Sequence, residues 1–157
     1  MRDEGLSRIV KTVACIMAVP IITFGAYIII HAHLTPGGGF PGGAIIATAV
    51  ALFLVAFGGE AVLKSLHPAS FSLLESVGLI FFITLAFLGL HHTFFHNLLA
   101  NSGGLFGMSV PFGSNPGCLN TGGVIPVMNL AVGLEVLSAL SLIVLMMFTG
   151  SMEEGND

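Results

Sequence analysis

Charge is what this sequence has least of. Four Lys or Arg and eight Asp or Glu make up 8% of 157 residues, against 55% hydrophobic residues. A water-soluble surface needs roughly a quarter to a third of its residues charged, so a soluble globular domain is excluded. Disordered chains are polar and charge-rich, so disorder is excluded as well. Four basic residues cannot make the basic patch that a nucleic acid requires. Two cysteines, Cys15 and Cys118, are too few for a disulfide framework or a thiolate cluster. Cys15 stands in an apolar run and reads as a small buried hydrophobe. No nucleophile–base constellation, metal motif or cofactor fingerprint is present, so neither catalysis nor a bound cofactor is expected.

What is there is long and apolar. No Asp, Glu, Lys or Arg occurs between Lys11 and Glu60, and none between Glu75 and Glu135. A membrane-spanning helix needs about 20 mainly apolar residues. The pattern predicts an all-α integral membrane protein, one domain over residues 1–157, with four transmembrane helices at about 9–30, 41–63, 73–95 and 124–148. The first span is too long for the core of a cleaved signal peptide, which runs about 7–15 residues. Lys and Arg set orientation. Arg2, Arg8 and Lys11 precede the first span and Lys64 follows the second, while the 31–40 and 96–123 connections carry no basic residue. The positive-inside rule then places both termini and the 64–72 loop in the cytoplasm of a multi-pass cell-membrane protein. The acidic tail, Glu153, Glu154 and Asp157, adds little, because acids barely bias topology.

The 96–123 connection is long, uncharged and rich in glycine, with Pro111 and Pro116. Leu105, Phe106, Val110 and Phe112 suit it poorly to bulk water. It is expected to pack on a partner or along the membrane surface. Pro20 inside the first span is expected to free the carbonyl of Ile16 and kink the helix.

Three acids lie near or within the spans. Glu60 precedes Lys64 by four residues, the favourable helical ion-pair spacing. Ser72 and Glu75 stand at the capping-box spacing, which reads as a helix start. Glu135 falls near the bilayer midplane with no basic residue in its helix. An ionised carboxylate there costs about 2.5–3.5 kcal/mol on insertion scales, and such residues are functional candidates. Ala131, Ser138 and Ala139, one turn away, give it a small-residue face suited to another helix. A proton- or cation-handling role stands beside the plainer reading of a protonated acid bonded to a neighbouring helix.

The segment HAHLTPGGGFPGGA, His31 to Ala44, predicts a tight external hairpin. Pro36 disfavours continuing the first helix, and Pro41 suits the first position of the next. Gly37, Gly38 and Gly39 allow close backbone approach, so something should lie against them, with Phe40 as an apolar anchor. It is no phosphate loop, because no Lys-Ser or Lys-Thr follows the glycines. Gly43, Ala47 and Ala51 continue as a small-residue stripe for helix packing. His31, His33, His91, His92 and His96 all fall near the outer face, with His92 and His96 at helical i, i+4 spacing. No cysteine or acid nearby completes a tetrahedral metal site. Interfacial histidines are the plain reading, and a proton-uptake vestibule is the functional one.

HAHLTPGGGFPGGA resembles the Gly-rich hairpin of the MnhB/MrpB family, small subunits of Mrp-type multisubunit Na⁺/H⁺ antiporters. The family pattern is close to GHxTPGGGFxGG; Ala32 replaces a glycine and Pro41 fills the variable place. GGVIPVMNLAVGLEV, Gly122 to Val136, is similar to the I-P-x-x-N-x-A-V-G-L-E/K-V run of the family's last helix. The two motifs stand in order about 80 residues apart, and the resemblance covers essentially the whole chain. It matches Pro36, Gly37, Gly38, Gly39 and Phe40 to the hairpin, and Asn129, Gly133 and Glu135 to the last helix. The Glu-or-Lys alternation at position 135 suits a polar lining or a partner contact. The resemblance implies an accessory membrane subunit of a module coupling Na⁺ and H⁺ movement. That module is either a free-standing antiporter or the membrane arm of a hydrogenase-like respiratory complex. Its partners would be other membrane subunits, with Glu135, Asn129 and Ser138 as polar lining and any redox chemistry in other chains. The alternative is a standalone homodimeric proton-coupled transporter resembling the small multidrug exporters. Those carry their acid in the first helix and typically contain tryptophan, which is absent here.

Overall fold

Ser7 starts the first helix by accepting the Val10 N–H on its hydroxyl. In the computed structural model, which describes residues 5–110, 112 and 117–154, helix α1 then runs over Arg8–Ile30, unbroken through Pro20. Helix α2 (Gly39–Phe57) follows a turn, a short helix α3 (Gly59–Ser65) follows a single glycine, and then come α4 (Pro68–Phe87) and α5 (Ile125–Glu154). No strand occurs among the described residues. Helices α1, α2, α4 and α5 are each long and apolar enough to cross a membrane.

The ends of the spans depart from the sequence expectation for identifiable reasons. The second span stops at Phe57 rather than 63, because Gly58 adopts φ +85°, a left-handed conformation that ends α2 and redirects the chain into α3. Glu60 and Lys64 therefore lie on α3, where they form the expected i, i+4 ion pair at 4.0 Å. The third span occupies 68–87 instead of 73–95. Pro68 takes the first helical position, where its missing N–H costs nothing. Ser72 and Glu75 are thus interior to α4 and form no capping box; the Ser72 carbonyl instead accepts from the Ser76 hydroxyl. Beyond Phe87 the chain breaks into turns, so His92 and His96 share no helix face. Pro41 is the third residue of α2 rather than the first. Cys15 is exposed on α1 rather than buried, at the edge of an apolar groove of about 420 Å³ beside Phe53, Phe57 and Leu66. Arg2, Pro111, Gly113, Pro116 and Asp157, and the side chains of Glu153 and Glu154, lie outside the described residues.

Packing is governed by glycine. A Cβ on Gly25 of α1 would lie 2.8 Å from the Gly42 carbonyl oxygen, and one on Gly42 would lie 2.7 Å from that of Gly25, so α1 and α2 cross backbone to backbone. The neighbouring stripe of α2, Gly39, Gly43 and Ala47, faces α5. Gly78 of α4 sits against the other side of α5, 3.0 Å from the Glu135 nitrogen and 3.1 Å from the Ala131 oxygen by the same measure. The helices therefore pack in the order α1, α2, α5, α4. With lipid tails as apolar as leucine, close backbone approach is a main source of helix association in a membrane.

Both ends of the described chain reach one end of this bundle. The Leu6 N–H donates to the Ala56 carbonyl at 2.9 Å, and Gly59 lies against the Phe148 ring. Val50, Val62 and Leu145 form the apolar core at that end, flanked by Phe53, Phe57 and Phe71. The histidine-bearing turns occupy the opposite end.

Candidate functional site

The hairpin glycines do have something against them, and it is the last helix. Gly39 opens α2, so its N–H has no partner within the helix. The Asn129 Oδ1 of α5 accepts it at 3.4 Å. A Cβ on Gly39 would fall 2.5 Å from the Asn129 carbonyl oxygen and 2.7 Å from the Val132 Cβ. One turn on, Gly43 stands equally close to the Gly133 carbonyl. Gly133 in turn receives the Ile29 side chain of α1. The two segments that sequence reading singled out are thus halves of one joint, holding α1, α2 and α5 together near the hairpin end of the bundle. Gly37 abuts Ile28, and Gly38 is extended and touches only the Pro41 ring. Pro36 is exposed, and Phe40 is 62% exposed, pointing away from the joint rather than anchoring it.

Glu135, Asn129 and Ser138 do not converge within the chain. At 100° per residue, Glu135 is turned about 240° from Asn129 around α5. Asn129 serves the α2 joint, while Glu135 lies at the α4 crossing over Gly78. Ser138 is fully buried, and its hydroxyl donates to the Leu134 carbonyl of its own helix at 2.7 Å. Glu135 is half-buried and makes no hydrogen bond or ion pair among the described residues. It stands about 15 Å from the start of α5, near the middle of a hydrocarbon layer of about 30 Å. Glu75, half-buried on α4, is one turn from Gly78 and so reaches the same crossing.

The hairpin end is organised by two residues, one of which sequence reading missed. Asn97 accepts the Val124 N–H on Oδ1 at 2.8 Å and donates from Nδ2 to the Gly122 carbonyl at 3.2 Å, fixing the entry to α5. Nothing periodic marks an asparagine in a loop, and only its cap-forming chemistry hints at the role. His33 reaches from the hairpin to the other end of the long connection, its Nε2 donating to the Leu119 carbonyl at 3.1 Å. Its Nδ1 is buried without a partner. These two side chains, with Asn101 and Thr121, border a cavity of about 570 Å³.

The other histidines go elsewhere. His31 stacks on Tyr27 with ring centroids 4.0 Å apart, and its Nδ1 meets the Tyr27 carbonyl at 3.2 Å. The His92 and His96 rings pair at 4.6 Å although no helix joins them, and His91 is exposed. No group of three His, Cys, Asp or Glu side chains able to hold a metal occurs among the described residues. The connection pins itself through Met108 N–H to the Asn120 carbonyl, Gly123 N–H to the Phe106 carbonyl and Phe106 N–H to the Asn120 side chain. Leu105, Val110 and Phe112 are left exposed.

Residues 9–142 match the family of domains related to the MnhB subunit of Na⁺/H⁺ antiporters. An uncharacterised protein of Methanocaldococcus jannaschii is 36% identical over 133 residues, which are 85% of this chain and 49% of that protein. A Staphylococcus aureus (strain Newman) protein named "Putative antiporter subunit mnhB2" is 40% identical over 70 residues, 45% of this chain and 49% of that protein. The chain spans about half the length of these curated relatives. With the hairpin and the last helix locked in one joint and the family match running from the first span into the fourth, the chain belongs to the MnhB-related family of antiporter subunit domains.

Proposed function

We propose that the chain is an accessory, non-catalytic membrane subunit of a multisubunit module that couples Na⁺ and H⁺ movement, with both termini in the cytoplasm. The module is a free-standing antiporter or the membrane arm of a hydrogenase-like complex, in which redox chemistry belongs to other chains. One observation supports the reading: Glu135, a polar group at mid-membrane depth, is presented at a helix crossing with no partner among the described residues. A transporter complete in itself would gather its polar residues into an internal site, commonly between repeated halves. Here Asn129 and Ser138 are occupied by the fold, whereas Glu135 remains free to line a route shared with a neighbour. The exposed apolar side chains of the outer connection, Leu105, Val110 and Phe112, suit the same neighbours or the membrane surface.

Affinity purification of the tagged chain in mild detergent from its native membrane tests this. Large antiporter-like membrane chains are expected to come with it. A lone homodimer that moves cations in vesicles would refute the subunit reading and establish the standalone one. In the assembled complex, Glu135→Gln should lower cation-dependent transport; full retention would remove Glu135 from the route.

A further inference from the structure

We infer that the α4·α5 crossing is a docking surface for a transmembrane helix of a neighbouring subunit carrying a Lys or Arg at mid-membrane depth. The inference rests on the subunit reading and says which face meets the neighbour and what the neighbour must offer.

Two acidic residues are carried to this crossing, one by each helix. Gly78 brings α4 so close to α5 that a Cβ there would lie 3.0 Å from the Glu135 nitrogen. Glu75 precedes Gly78 by three residues, hence occupies the same face of α4 one turn nearer the end that holds α3 and the termini. Because α4 and α5 run antiparallel, that turn is level with the stretch of α5 just after Glu135. Both acids are half-buried, and neither has a hydrogen bond or ion pair among the described residues. No Lys or Arg among the described residues is placed to meet them. Lys64 is engaged by Glu60 on α3, and Arg8 and Lys11 lie in the first turn of α1, which packs chiefly on α2.

Each ionised acid left facing hydrocarbon costs about 2.5–3.5 kcal/mol on insertion scales, and intramembrane acids pair with one another, with backbone or with a base. A second copy of this chain would bring only more acid to the same place. A helix with a basic side chain at that depth supplies the complementary charge and removes both groups from lipid.

The test uses the assembled complex in its native membrane. Met146 is exposed and stands eleven residues after Glu135, three full turns, so a photo-crosslinker there reports on what covers that flank of α5. Ile16, exposed on α1, is the control position. The crosslinked peptide at 146 is expected to be a membrane span of another subunit with a Lys or Arg in its central third, and the peptide at 16 a different one or none. A span without a basic residue, or lipid adducts alone, overturns the docking proposal. Glu135→Lys should reduce co-purified partner several-fold, Glu135→Gln less, with the variant chain still present in the membrane at normal level. Undiminished co-purification of Glu135→Lys also overturns it, while leaving the subunit reading intact. If the wild-type chain itself brings down no other membrane subunit, the subunit reading has failed instead.

Discussion

At the scale of single residues, adjacent glycines in the hairpin carry different loads. Gly39→Ala would drive a methyl to 2.5 Å from an α5 carbonyl oxygen, and backbone cannot step aside as a side-chain tip can. Overpacking of this kind costs about 1–3 kcal/mol. Gly38→Ala meets only the Pro41 ring at 3.6 Å, an ordinary contact, and its backbone is extended. Thermal stability in detergent should therefore fall clearly for Gly39→Ala and hardly for Gly38→Ala. Asn129→Ala removes one hydrogen bond of 3.4 Å, and such bonds inside membranes average about 0.6 kcal/mol. Its loss should be the smaller, so that close packing outweighs hydrogen bonding at the joint. A ranking with Asn129→Ala below Gly39→Ala in stability would reverse that conclusion.

Among the elements, the four spans were legible because a span is a matter of length and apolarity, both local properties. Their ends were not, because each end turns on one residue in competition with its neighbours. Pro68 outcompeted the Ser72–Glu75 pair for the start of α4. Gly58 cut the second span although Ala61, Val62 and Leu63 continue its apolar run. Residues 88–95 are apolar enough to prolong α4, yet the chain turns back so that the Phe95 N–H reaches the Ala86 carbonyl, with Phe95 itself at φ +63°. The hairpin's demand for a close neighbour could be read from its glycines, but which helix answers it depends on packing order, which no local pattern encodes. The same holds for Asn97. Its two bonds to Gly122 and Val124 hold the start of α5 in place of a side chain from the preceding turn. Asn97→Ala should cost about 0.5–2 kcal/mol, the range for a lost helix cap. Amide hydrogen exchange should speed up over residues 117–128 and remain unchanged in α1 and α2. Uniformly faster exchange would mean that Asn97 supports the whole bundle rather than one helix end.

For the molecule as a whole, the distribution of charge and the path of the chain make one claim about sidedness. Leu6 bonds to Ala56, Lys11 lies 5.8 Å over the Phe57 ring, and α3 with Lys64 packs at the same end. Every described basic residue is therefore at one end of the bundle, and the uncharged connection and the five histidines of the hairpin and turns are at the other. Moving Lys or Arg across a membrane during insertion is what the positive-inside bias opposes. Single cysteines introduced at Ser7 and Thr149 into a chain with Cys15 and Cys118 replaced should both resist an impermeant thiol reagent in intact cells and react once the membrane is opened. A cysteine at Ser102 should react from outside, since that residue is exposed in the long connection. Opposite labelling of positions 7 and 149 would contradict the four-span path itself. Outside labelling of both would keep the path but invert the orientation, placing Arg8, Lys11 and Lys64 against the bias that should have set it.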